Sequence, residues 1–168
     1  MLALAASAAC RDDRWAPIVG PEASSPLFDP DDPCGATSVT MPGGWCDYEF
    51  WALMDEIDFI TGPTGCDDFA HRLREMLGAG QIRKASFTNY DLGGVASYTD
   101  PGVMGEANDL IEINVNSWWW ADWEMGRVLR HEGGHLWSRF GHDEKPLSYF
   151  DSWETACWGG TKGLPPEH

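Results

Sequence analysis

The stretch MGRVLRHEGGHLWSRF, residues 125–140, decides how this chain is read. Apolar residues recur through it at helical intervals, at Met125, Leu129, Leu136 and Phe140. With His131 as the origin and about 100° per residue, those four and Gly133 fall between about 120° and about 200°. His135 falls near about 40°, so the two histidines share a face distinct from the apolar stripe, and Glu132, near about 100°, stands at the border. Gly133 and Gly134 sit side by side in the same stretch. Each costs a helix interior about 1 kcal/mol relative to alanine. Two together predict the close approach of another element at this point.

Two imidazoles at positions i and i+4 lie one turn apart on one helical face, where both can reach a single cation. The spacing, with a glutamate directly after the first histidine, points to zinc held by His131 and His135 with Glu132 as general base. Such a site needs a third protein ligand and a position left for water. Three residues downstream qualify: Glu154 after eighteen intervening residues, His142 after six, and Asp143 beside it. Glu154 also fits a helix-capping box, with Asp151 as N-cap and Glu154 at the third helical position. Tyr149 and His142, which lie between the ligand segments, and Tyr98 are candidates to face a developing oxyanion.

Outward from the helix, the pattern is α+β. Helices are expected over roughly 47–60, with a stripe of Phe50, Trp51, Met54, Ile57 and Ile60, and over about 66–78, with Phe69, Leu73, Met76 and Leu77. Strands are expected at 82–88, 94–99 and 110–116. In the last, Ile111, Ile113 and Val115 are expected on one face and Glu112 and Asn114 on the other. The long helix is expected over about 119–140 and a short one over roughly 151–158. Trp118, Trp119, Trp120 and Trp123 are expected to fill a core or cover the helix start, with an apolar substrate cleft as the other use.

The chain has 168 residues, 43% hydrophobic, which fits one domain. Its formal net charge of −16 argues against nucleic acid and anionic membrane as partners. The five cysteines form no CxxC pair and read as disulfides of an oxidising compartment, with Cys34–Cys46 and Cys66–Cys157 the favoured pairs. Residues 1–10, MLALAASAAC, resemble the end of a bacterial lipoprotein signal, in which Cys10 carries a lipid anchor, and are set apart from the fold. Residues 11–45 read as an irregular Pro/Gly/Asp-rich extension and 46–168 as the catalytic domain.

The motif His131-Glu132-Gly133-Gly134-His135, followed by eighteen residues and Glu154, resembles the gluzincins, the thermolysin-like and aminopeptidase-like zincin metallopeptidases. The metzincin pattern fits less well, because Ser138 stands where its glycine belongs and His142 comes one residue late. The resemblance covers roughly residues 66–158. It implies a mixed or antiparallel sheet packed against a backing helix and a long active-site helix, followed by a short glutamate helix. It further implies that Glu154 is the third zinc ligand, that the chain is a peptidase acting on peptides or proteins, and that GVASYT, 94–99, is an edge strand for pairing with an extended substrate. The cysteines and the lipoprotein-like start place the chain in a secreted or cell-envelope setting. A zinc-stabilised secreted binding domain or lipoprotein without catalysis is the alternative. It would leave the glutamate between the two histidines without a task.

Overall fold

The computed structural model describes residues 5–9, 34, 39–63, 65–89, 92–99, 101–114, 122–160 and 163–164. Cys10, Val115 and Trp118–Trp120 lie outside them, so the expectations placed on those residues do too. Helix α1 spans Asp47–Asp58, α2 Cys66–Gly78, α3 Asp122–Ser138 and α4 Leu147–Trp153. Strands β1 (Ala5–Ala9), β4 (Ile82–Ala85), β5 (Gly94–Thr99) and β6 (Leu110–Asn114) form one sheet in the order β1-β5-β6-β4. Strands β2 (Thr40–Met41) and β3 (Trp45–Cys46) make a small second sheet. Among the described residues no helix is long and apolar enough to cross a membrane.

The large sheet is mixed. β4 runs parallel to β6, while β5 is antiparallel to both β6 and β1. Two expectations change here. Residues 5–9, set apart from the fold by their composition, are paired in the sheet. GVASYT is therefore an interior strand, flanked by β6 and β1, instead of an open edge.

Helical periodicity located the core well. Phe69, Leu73, Met76 and Leu77 of α2 are all fully buried. On α1 the stripe is rotated slightly: Leu53 is buried, whereas Trp51 is 57% exposed. α1 and α4 pack on α3, which lies against β5 and β6. In β6, Ile111 and Ile113 face the core as expected, but Asn114 is also buried. Its amide serves as a hub. It donates to the Asn89 carbonyl at 3.1 Å and the Leu92 carbonyl at 2.7 Å, and accepts from the Phe87 amide at 3.1 Å. Those bonds satisfy the main chain of the loop that enters β5, which is why a polar residue is tolerated inside.

The cysteine pairs are those favoured from the sequence. Cys34 bridges Cys46, and Cys66 bridges Cys157 with Cα atoms 5.6 Å apart. The second links the start of α2 to the turn after α4 across 91 positions. Disulfides of this kind persist in oxidising compartments.

The two glycines of α3 are explained by packing. A Cβ on Gly133 would stand 2.8 Å from Phe69 Cζ, and one on Gly134 2.5 Å from Trp153 Cγ. Gly134→Ala should therefore lose about 1–3 kcal/mol through overpacking, despite alanine's better helix propensity. Gly78 has nothing within 4 Å of the same position, so Gly78→Ala should be neutral or stabilising. Urea unfolding of the two variants checks the contrast, and equal midpoints would remove the close-approach explanation.

Candidate metal centre

Helix α3 presents His131 and His135 one turn apart, and the chain then reverses to bring a third imidazole back to them. Among the described residues, His131, His135 and His142 form a group whose ligand atoms all lie within 4.8 Å of one another. Their ring centroids are 4.7 to 5.6 Å apart. His135 is fully buried, His131 nearly so and His142 half-buried.

The reversal has a definite construction. Ser138 ends α3, and Arg139 adopts a left-handed conformation with φ 57°. A side chain with a Cβ is costly there and needs compensation. The Arg139 guanidinium supplies it, donating to both carboxylate oxygens of buried Asp109 at 2.7 and 3.0 Å and to the Gly102 carbonyl at 3.2 Å. It also lies 5.4 Å from the ring of Tyr98. Tyr98 is a buried residue of the core. Gly141 follows. Its amide donates to Glu144 at 3.0 Å, and its carbonyl accepts from the Glu144 and Lys145 amides, which closes the turn holding His142.

His135 is fixed on two sides. Its Nδ1 lies 2.8 Å from the Phe140 carbonyl, so that nitrogen carries the proton and donates it, leaving Nε2 as the ligand atom. Its ring stacks on Phe150 of α4 at a centroid distance of 3.8 Å. Burial pushes the His135 pKa down to about 3; the Phe140 carbonyl opposes this, and His131 and His142 add to it. Burial also lowers His142, reinforced by His131 and opposed by Asp151 and Asp143. Neutral imidazoles are the form that binds a metal. The three histidines therefore form a group that could hold a metal ion.

Glu154 stands outside this group. It caps the C-terminus of α4, so Asp151 is inside that helix and the expected capping box does not form. The α4 N-cap is Pro146. One Glu154 oxygen pairs with Arg127, and the other lies 3.6 Å from His131 Nδ1, an electrostatic contact longer than a formed hydrogen bond. Arg130 donates to the Glu154 backbone carbonyl at 2.8 Å. Burial works to raise the Glu154 pKa, but the contacts from His131 and Arg127 outweigh it and hold it below the usual value. Asp143 too is outside the three-histidine group. Tyr149 is half-buried against Phe140 and Phe150. Glu132, on α3 between the two histidines in sequence, is 1% exposed and backs onto β5, where a Cβ on Gly94 would stand 2.9 Å from Glu132 Cγ.

Sequence reasoning overlooked Arg127, Arg130, Arg139 and Asp109. A signal existed for the first: Arg127 precedes His131 by four positions and so lies on the histidine face. A carboxylate arriving there meets a guanidinium as well as an imidazole. Comparison of the chain with family models, curated proteins and solved structures finds no match.

Two outcomes test this geometry. His142→Ala should abolish tight metal binding, whereas Glu154→Gln should weaken it by about 10–100-fold, the usual effect of losing a partner behind a ligand. Metal titration reads both, and the opposite ranking would make Glu154 the ligand. The metal-free protein should also lose stability in acid. An unfolded histidine takes a proton near 6.5, while folded His135 does so only near about 3. The stabilising effect is complete above about pH 6.5 and drains away as pH falls toward 3, at up to about 1.4 kcal/mol per pH unit. Urea unfolding between pH 7 and 4 should show this slope, and His135→Phe should flatten it.

Proposed function

We propose that the protein is a zinc-dependent hydrolase that cleaves peptide bonds, with His131, His135 and His142 holding the metal and Glu132 as the general base. The observation that carries this reading is the convergence of His142 on His131 and His135 of α3, the helix that also carries Glu132. When bound, zinc acts as a Lewis acid toward water and toward a carbonyl oxygen. Glu132 takes the proton of the attacking water and hands it to the leaving amine. The Phe140 carbonyl holds the His135 ring in one tautomer, and Phe150 holds it in one plane. Glu154, charged through Arg127, orients His131 from behind instead of ligating. Tyr149 is the proposed donor to the developing oxyanion. The three-histidine set departs from the gluzincin pattern, so the resemblance is kept at the level of the zincin helix and its HExxH motif. The two disulfides support a secreted or cell-envelope setting.

The burial of His135 and Glu132 also suits a metal that only stabilises the fold. One experiment separates the two. Zinc-loaded protein should hydrolyse a peptide library, and chelation should stop it. Glu132→Gln should keep its zinc yet lose at least about 100-fold in rate. Stoichiometric zinc with no hydrolysis by the unaltered chain would leave the stabilising role.

A further inference from the structure

The two disulfides differ in how their sulfurs are surrounded. Cys66 and Cys157 are both fully buried. In the other pair Cys46 is 1% exposed, while Cys34 is only half-buried. A thiol arriving from solvent therefore meets Cys34. Cys46 has a second peculiarity. It is the N-cap of α1, where the Glu49 amide faces its side chain. Lys84 of β4 donates to its sulfur at 3.5 Å. The ammonium is held in place by buried Glu49, whose Oε2 lies 2.5 Å away and also accepts from the Cys46 amide at 2.8 Å. The Trp45 ring flanks the same ammonium at 5.9 Å.

Thiol–disulfide exchange runs faster when the departing sulfur is stabilised as a thiolate. A helix N-terminus and a neighbouring lysine are two settings that stabilise one. Both act on Cys46, whereas access belongs to Cys34, so the two asymmetries point the same way. The Glu49 carboxylate opposes a new negative charge, and the Lys84 ammonium and the helix start offset it at the sulfur. We infer that Cys34 is a site of S-thiolation by low-molecular-weight thiols, with Cys46 as the leaving group. The incoming thiolate bonds to Cys34 Sγ as the Cys34–Cys46 bond breaks. The electron pair of that bond departs on Cys46 Sγ, where Lys84 and the start of α1 receive it. The exchange consumes the thiolate alone and needs no oxidant. In reverse, the Cys46 thiolate attacks Cys34 Sγ and expels the small thiol. None of this depends on the hydrolase reading.

The intact protein tests the inference, with N-ethylmaleimide used first to cap any thiol already present. It is then exposed briefly to 2-mercaptoethanol, a neutral thiol, and quenched with iodoacetamide. Peptide mapping by mass spectrometry should find the mercaptoethanol adduct on Cys34 and the carbamidomethyl group on Cys46, with Cys66–Cys157 still closed. An adduct on Cys46, or equal labelling of both, would overturn the inference. Lys84→Met should slow the opening by about fivefold or more, through the poorer leaving group. A residue that only braced the fold would have the opposite effect, because loosening exposes the bond. Equal or faster opening in this variant would therefore also overturn the inference. Lys84→Met leaves Glu49 without its cation, so Lys84→Met/Glu49→Gln, which removes both charges, is the second variant and should open slowly too. Should neither fold, the position of the adduct in the unaltered protein decides.

Discussion

The arrangement depends on how closely α3 is approached at Gly133 and Gly134. Phe69 of α2 and Trp153 of α4 occupy the space that two side chains would fill, and their rings lie 5.4 Å apart across it. Because Trp153 sits that close, α4 is near enough for Phe150 to stack on His135 and for Glu154 to reach His131 and Arg127. The helix gives up about 2 kcal/mol of intrinsic propensity at the two glycines and gains a packed partner on each side. Position, not helix strength, is what the glycines supply.

Charge is organised around the same helix. The chain is strongly acidic, with 27 carboxylate residues against 11 Lys and Arg. Several of its cations are committed at structural junctions: Arg127 and Arg130 to Glu154, Arg139 to Asp109, and Lys84 to Glu49 at 2.5 Å. Breaking a buried pair on one side leaves an uncompensated charge, which is far more damaging than removing a surface pair. The Arg139–Asp109 pair matters most for the site. It holds the turn that separates a helix carrying two histidines from a constellation of three.

Much of this was legible in residue order, and the failures have identifiable causes. α2 was read with its observed limits because its apolar stripe is uninterrupted and glycines flank both ends. That His131 and His135 share one side of α3 was legible because helical geometry fixes where i and i+4 point. The approach of His142 to the other two imidazoles depends on one left-handed arginine, a conformation no local pattern announces. Glu154 was singled out by its spacing along the chain, which says nothing of the Arg127 guanidinium that pairs with it. The short helix starts four residues and ends five residues before the expected limits, since Asp151-Ser152 carries the signature of a helix start while the N-cap is Pro146. Asn114 was assigned outward by simple alternation, whereas the loop before β5 needed its amide inside.

The bridge between Cys66 and Cys157 carries a consequence for how the molecule comes to exist. With Cys34–Cys46 it means that four thiols surrender four electrons and four protons before the chain is complete. Maturation is thus a redox reaction as well as a conformational one, and it needs an electron acceptor from outside the polypeptide. A host that keeps sulfur reduced would accumulate the chain with α2 untethered from its C-terminal turn. A preparation judged only by its soluble yield would then conceal which of the two forms had been made.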